Sequence, residues 1–378
     1  MLTAPRVRCV PVTSRAQLRD WIRLTDRIYA DDPCFIPPLR QQLTDFHARK
    51  APYFRYGGIE FLSAVREGAV VGRTTAHTNA KLDEKFGERH LLFGFTEFVD
   101  AEAFGALAAA LEERARELGA AQLFGPVNLL PNQSGGVVTS GFGQRGFIDS
   151  PYNPSYYPAA YEAHGFSRTF EGATFVCPLR GDVTPVEEVF PFPEDRIEEE
   201  RLEVRQADRR KVDEQLGFIR TMLNASFAQL GYYTEIDADE LAYQVDGLSY
   251  LLDERIALYL FKDGAPVAFI LCVPDISEFV REIGGNLNVP NQLRLLLRRK
   301  RYRREAVAVI KGTVPEEQGK GYMRLLNREL LRNLRDAGYE TLRGTFIEEE
   351  NVASSSQVSR MRGRPLHGVT FYRRAVSG

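Results

Sequence analysis

The chain has 378 residues, 44% of them apolar and 26% charged, with a formal charge of −2 and a pI near 6.3. That length exceeds what one hydrophobic core usually serves, so two domains are expected, and the near-neutral charge excludes an overall basic field of the kind that binds DNA. Four well-separated cysteines (Cys9, Cys34, Cys177, Cys272) predict free thiols rather than a disulfide framework or a metal site, and no apolar run reaches the length of a signal peptide or membrane span, so a cytoplasmic protein without a membrane partner is expected.

Taken in order, residues 6–12 alternate as a strand, and Ser14–Tyr29 carries Leu18, Trp21, Ile22 and Ile28 at helical spacing. Two apolar runs then flank Arg66-Glu67-Gly68, the grammar of a hairpin. A helix ending at Arg116-Glu117-Leu118-Gly119 leads into a strand, Ala121–Gly125, with the glycine as its cap. The same order returns later: a strand at 202–206, a helix at 211–229 with Leu216, Ile219, Leu223 and Phe227 on one face, and a hairpin around Lys262-Asp263-Gly264. A helix ending at Arg335-Asp336-Ala337-Gly338 then precedes Glu340–Gly344. Each half reads β-α-α-β-β-β-α-β-α-β, a mixed α/β domain. The predicted boundaries are 1–180 and 201–378, joined by a proline-punctuated linker at 181–200 that ends in Glu198-Glu199-Glu200.

Two segments break the repeat. Pro126–Tyr157 is dense in Gly, Pro, Asn and Tyr, a composition of loops, and its Tyr152, Tyr156 and Tyr157 are candidates for lining an acceptor pocket between the domains. The second half carries an insertion near 274–304 in which Arg294, Arg298, Arg299, Lys300, Arg301, Arg303 and Arg304 put seven cations in eleven positions. One reading makes it a solvated helix docked through Leu293, Leu296 and Leu297. The other makes it a contact for a polyanion, either a coenzyme's phosphates or tRNA.

The strongest chemical signal lies at 305–335. Glu305–Val314 reads as a buried strand, stopped by Pro315, and Gln318-Gly319-Lys320-Gly321-Tyr322-Met323 opens a helix. Glycines at such a corner let the backbone approach a ligand, and the free N–H groups of a helix start favour an anion, so this turn is a cradle for a diphosphate that needs no metal. The corresponding place in the first half, Phe93–Asp100, runs into Ala101 without a second glycine.

This strand, turn and helix resemble the coenzyme A-binding motif of the GNAT acyltransferase superfamily, Q/R-x-x-G-x-G/A. Gln318 takes the first position and Gly321 the fourth, while Met323 departs from the small residue at the sixth. Glu350-Asn351-Val352-Ala353 fits the Asn-led helix of the family, and Tyr161-Glu162-Ala163-His164-Gly165-Phe166 resembles its Y-E-x-x-G-F signature. The resemblance implies two tandem GNAT-like domains, each a mixed central sheet flanked by helices, with the first degenerate and the second binding the donor. It also implies an acyl-CoA donor, a small-molecule amine acceptor and amide bond formation. Tyr161 inherits the role of acid to the leaving thiolate; its counterpart in the second half is Val358.

Attack by an amine needs a base. Glu97, by analogy with strand carboxylates of the family, and Glu348, at the end of the strand after the binding helix, are the candidates, with His367 behind them. The backbone amide near Thr313 or Val314 is expected to polarise the donor carbonyl. An aminoacyl-tRNA donor is the alternative, favoured by the basic insertion, and a non-catalytic ligand-binding protein on the same fold is the second alternative.

Overall fold

A computed structural model describes residues 7–129, 135–230, 233–245 and 252–376; the part of the predicted loop at 130–134 lies outside them. The first repeat contains β1 (Arg8–Pro11), α1 (Arg15–Ile28), α2 (Arg40–His47), β2 (Ile59–Arg66), β3 (Ala69–His77) and α3 (Ala80–Phe86). It continues through β4 (His90–Phe98), α4 (Ala101–Leu118), β5 (Gln122–Gly125), β6 (Val137–Ser140), α5 (Tyr157–Ala163) and β7 (Ser167–Pro178). Next come α6 (Val186–Val189), α7 (Glu194–Glu199), β8 (Leu202–Gln206), α8 (Val212–Phe227), α9 (Ala238–Val245), β9 (Ala257–Lys262) and β10 (Ala265–Pro274). The inserted α10 (Ser277–Glu282) and α11 (Val289–Arg298) precede β11 (Glu305–Thr313), α12 (Tyr322–Asp336), β12 (Thr341–Glu348), α13 (Val352–Arg360) and β13 (Arg364–Ala375).

The repeat is therefore real at the level of elements, and its turns follow from particular residues. In both hairpins the two turn residues have positive φ, Glu67 with Gly68 and Asp263 with Gly264, the conformation a two-residue hairpin demands. Gly119 and Gly338 close their helices in the left-handed region.

The chain divides into two compact units. One is residues 1–172 with 277–287 and 367–378; the other is 173–276 with 288–366. The boundaries at 172/173 and 366/367 fall inside β7 and β13 rather than in a linker. Residues 181–200 are not an unstructured tether: they form α6 and α7, and Val186, Val189, Phe190 and Phe192 join the second unit's core.

The first unit's sheet runs β1-β2-β3-β4-β5-β13, antiparallel except where β5 lies parallel to β4. Its core is strongly aromatic, with Phe93, Phe98, Phe104, Tyr157, Tyr161, Phe166 and Tyr372 under α4 and α5. The second unit's sheet runs β7-β12-β11-β10-β9-β8, parallel from β11 to β12 and antiparallel from β11 through β10 and β9 to β8. Two cores cover it: Leu325, Leu326, Leu330 and Leu334 of α12 on one face, Ile219, Met222 and Leu223 of α8 on the other.

The parallel step has the same beginning and different ends. In the second unit, register holds from Glu305 opposite Thr341 to Ala308 opposite Gly344; both strands then continue, β11 to Thr313 and β12 to Glu348, without pairing further. In the first unit, β4 and β5 pair only from His90 to Leu92, and the chain after Gly125 folds into the gap. The Val127 N–H bonds the Phe93 carbonyl at 2.7 Å, and the Asn128 side chain accepts the Phe95 N–H at 3.0 Å. Gly94 makes room for this: a Cβ there would lie 1.9 Å from the Val127 carbonyl oxygen.

Gly94→Ala must therefore displace backbone and is expected to cost at least about 2 kcal/mol of stability in urea unfolding. Gly319→Ala, whose Cβ would meet nothing within 4 Å, is expected to cost only the left-handed penalty of roughly 1–2 kcal/mol. Equal losses would show that the filled gap is not tightly packed.

Candidate functional site

β11 ends where Pro315 starts a short 3-10 turn, Pro315–Glu317, and Gly319 (φ 77°) and Gly321 (φ 85°) then carry the chain through two left-handed residues into α12. Side chains larger than glycine adopt that conformation with difficulty, so the two glycines are what permit the corner. α12 has no side-chain cap. The Arg324 N–H turns back to the Gly321 carbonyl at 2.8 Å, and those of Tyr322 and Met323 have no partner among the described residues. Gln318, Gly319 and Lys320 are exposed, and the atom nearest a Cβ on Gly321 is a ring carbon of Phe192 at 4.0 Å, so no side chain among the described residues plugs the corner.

The turn is braced from behind. Gln318 Nε2 donates to the Thr313 carbonyl at 3.0 Å, and an Arg196 guanidinium nitrogen to the Lys320 carbonyl at 3.2 Å. Lys320 Nζ lies 2.7 Å from Glu317, which also holds Lys262 at 3.1 Å. Tyr322 turns inward, its hydroxyl on Glu200, and Met323 packs against the core. Of the predicted donor-binding residues, then, Gln318 to Gly321 shape the open surface, whereas the side chains of Tyr322 and Met323 support it from inside.

The two carbonyl-polarising candidates separate. The Val314 N–H is already bonded to the Val267 carbonyl at 3.0 Å. Antiparallel alternation turns the Thr313 N–H, one residue earlier, away from β10 and toward the side where β12 has parted. The Thr313 amide thus remains a candidate for that role, while the Val314 amide is already engaged. Asn351 caps α13, its side chain accepting the Ser354 N–H at 3.0 Å.

The side of the parted strands that faces α12 and α13 carries a residue the sequence reading passed over. Lys311 Nζ donates to Gln357 Oε1 of α13 at 2.7 Å, and Asn327 of α12 donates to the same oxygen at 2.7 Å. Lys311 is mostly buried, and its titratable neighbours are the thiols of Cys272 and Cys177 rather than carboxylates; burial lowers its pKa from 10.5 to about 8. Burial pushes both thiols up to about 12, so they remain protonated. Glu348, at the end of β12, is half-buried, and burial with the nearby Glu350 raises its pKa.

The first unit places its candidates differently. α4 begins with Asp100, whose carboxylate accepts the Ala103 N–H at 2.9 Å and holds Arg66 at 2.8 Å. A fixed negative charge at a helix start repels the anion that the equivalent corner of the second unit leaves room for. Glu97 lies on β4 opposite Arg73 of β3, and its Oε2 accepts the hydroxyls of Tyr29 and Tyr157, each at 2.8 Å. Burial pushes the carboxyl up, against the opposing pull of Arg73 and the two tyrosines. Above it, Ile28, Tyr29, Asp32, Val99, Pro154 and Tyr156 line an open pocket of about 320 Å³ within this unit.

Of the three tyrosines expected at an acceptor pocket between the domains, Tyr156 lines this pocket inside the first unit, Tyr157 bonds Glu97, and Tyr152 is tied to Asp32 at 2.8 Å. Tyr161 is fully buried, its ring stacked on Tyr372 at 4.6 Å and packed by Phe104 and Phe166. Its hydroxyl lies near Thr96 without a normal hydrogen bond, and burial raises its pKa. That is the environment of a core residue rather than of an acid meeting a leaving group. His367 is also buried, with Nε2 3.1 Å from the Gln144 carbonyl.

In the basic insertion, Arg303 pairs with Asp253 at 3.6 Å and Arg304 with Glu340 at 3.0 Å, while Arg294 reaches Asn291 at 2.9 Å. Arg298, Arg299, Lys300 and Arg301 are exposed. The docking leucine of α11 is Leu295; Leu293, Leu296 and Leu297, expected to dock, face outward instead.

No protein-family model matches the chain. Among solved structures, a tandem GNAT protein from the clavulanic acid biosynthesis pathway, solved without acetyl-CoA, superposes with a TM-score of 0.60 over 99% of both chains at 13% identity. The fold is the tandem GNAT fold. A GCN5-related N-acetyltransferase from Sphaerobacter thermophilus superposes with a TM-score of 0.55, covering 100% of this chain and 98% of that one at 12% identity. By sequence, the chain is 25% identical over 371 residues to protein YghO of Escherichia coli K12, covering 96% of this chain and 94% of YghO. It is 23% identical over 381 residues to the bacterial ceramide synthase of Caulobacter vibrioides, covering 97% of each.

Because folding lowers the Lys311 pKa from 10.5 to about 8, its charge costs stability in full below about pH 8, and the cost disappears above 10.5. Lys311→Met is therefore expected to stabilise the fold at pH 7 by up to about 3 kcal/mol, with the gain fading as pH rises toward 10.5. Thermal unfolding across that range checks it. A variant less stable at pH 7 would show that the lysine is not held against its charge.

Proposed function

We propose that this protein transfers an acyl group from an acyl-CoA-type thioester to an amine, with the donor in the second unit. The observation that carries this reading is the contrast between two copies of one corner. The helix start at Gly321 is uncapped beside strands that have parted, whereas its counterpart at Asp100 is capped by a carboxylate beside a gap filled by Val127 and Asn128. The free amide hydrogens of α12 would take the donor's diphosphate. The Thr313 N–H would polarise the thioester carbonyl.

Lys311 is the base that the geometry supports best. A lysine of pKa about 8 has an appreciable neutral fraction near neutral pH, can take the proton that an ammonium acceptor must lose before the free amine attacks, and shares its partner Gln357 with Asn327. Glu348, with its raised pKa at the end of the same cleft strand, is the second candidate. The solved structure named as an N-acetyltransferase and the relative named as a ceramide synthase support acyl transfer to nitrogen, since ceramide is itself an amide of a long-chain amine. An aminoacyl-tRNA donor would use the same cleft, with its phosphates on Arg298 to Arg301.

Turnover assays with a series of acyl-CoAs and amines, read by release of free thiol, test the reading. Coenzyme A is expected to stabilise the chain by about 2–3 kcal/mol at saturation. Gly321→Asp should abolish that shift, and Gly321→Asn, which meets the same backbone demand without charge, should keep it. Stabilisation by coenzyme A that survives Gly321→Asp would place the donor elsewhere, and transfer from aminoacyl-tRNA alone would replace the donor class. For the base, kcat is expected to rise through about pH 8 and to fall on the order of 100-fold in Lys311→Met. An unchanged pH profile in that variant would remove Lys311 from the chemistry.

A further inference from the structure

α11 is apolar on two opposite faces, and only one of them is used. Asn288 caps its start, accepting the Asn291 N–H at 3.1 Å, and Leu295 is its buried anchor. Val289, Leu293, Leu296 and Leu297 lie on the other side, within an arc of about 100° at the helical repeat. They are 75%, 57%, 40% and 77% exposed. Aliphatic side chains bared this far and gathered on one face mark a contact surface rather than chance.

The next four residues, Arg298, Arg299, Lys300 and Arg301, are all exposed, and none has an ion-pair partner among the described residues. This local cluster of four cations sits on a chain whose net charge is −2. The two features select one kind of partner. A nucleic acid would use the cations and leave the leucines bare. An apolar groove on a protein would use the leucines and gain nothing from four unpaired charges. A bilayer with anionic head groups takes both, the aliphatic stripe entering at the head-group boundary and the cations meeting phosphates.

We infer that α11 and the turn after it form a docking face for an anionic phospholipid bilayer, on which the protein rests without spanning it. No helix among the described residues is long and apolar enough to cross a membrane, so attachment would be peripheral. The inference does not depend on which acyl donor or acceptor the protein uses.

Co-sedimentation of the full chain with phosphatidylcholine vesicles containing or lacking phosphatidylglycerol tests it. Sedimentation is expected only with the anionic vesicles and should weaken with salt. Each cation near an anionic surface contributes about fivefold, so neutralising Arg298, Arg299, Lys300 and Arg301 to Gln should weaken binding at least roughly 100-fold. Leu293→Asn with Leu297→Asn, at exposed positions where folding is not at stake, should weaken it at least roughly tenfold with every charge kept. Amide exchange of the unaltered chain provides a measure free of variants: residues 289–301 should be protected by anionic vesicles. The inference is overturned if the chain does not sediment with anionic vesicles or 289–301 gain no protection. It is equally overturned if the leucine variant binds as well as the parent, the pattern of a purely electrostatic polyanion contact such as tRNA.

Discussion

Pairing between β11 and β12 stops after Ala308 meets Gly344, while both strands run on, and the candidate site of the second unit follows from that parting. Two strands that cease to bond leave main-chain groups pointing into a gap, and such groups need a partner. On this edge the Thr313 N–H faces the opening, and the carbonyl of the same residue is held by Gln318, which ties the strand end to the glycine corner. The helix dipole, the free amides and the opening are thus parts of one local geometry.

The first unit shows what happens when the same architecture is satisfied internally. Val127 and Asn128 occupy the gap with hydrogen bonds to Phe93 and Phe95, and the Asp100 carboxylate neutralises the helix start that would otherwise attract an anion. Its Glu97, buried between Tyr29 and Tyr157, has a protonation state set by desolvation more than by partners. Repetition of the fold has not repeated the geometry of the corner, as expected when local sites vary on a shared topology.

Much of this was legible in the sequence because its cues are local. The Glu67-Gly68 and Asp263-Gly264 turns, the glycine caps at 119 and 338, and the Gln318–Gly321 corner each depend on a few adjacent residues. What escaped depends on contacts far along the chain. Within the strand Glu305–Val314 no local cue marks Lys311; it is Gln357 of α13 and Cys177 of β7 that enclose it. Helical spacing shows that α11 has leucines but not which of its two apolar faces the domain covers. Tyr161 fits a motif in which tyrosine does chemistry, yet its place is fixed by ring packing with Tyr372, a residue from the other end of the chain. The Val314 amide was lost to Val267, a cross-strand bond that only register reveals.

The filling of the first unit's gap also constrains what mutation can do to it. The obstruction is a run of main chain, the Val127 peptide lying against a residue that has no side chain to remove, at Gly94. Trimming side chains cannot reopen a space that peptide groups occupy; the path after Gly125 would have to be rerouted, several residues at once. Opening it by single steps is closed, so the difference between the two corners is held in place by the backbone itself.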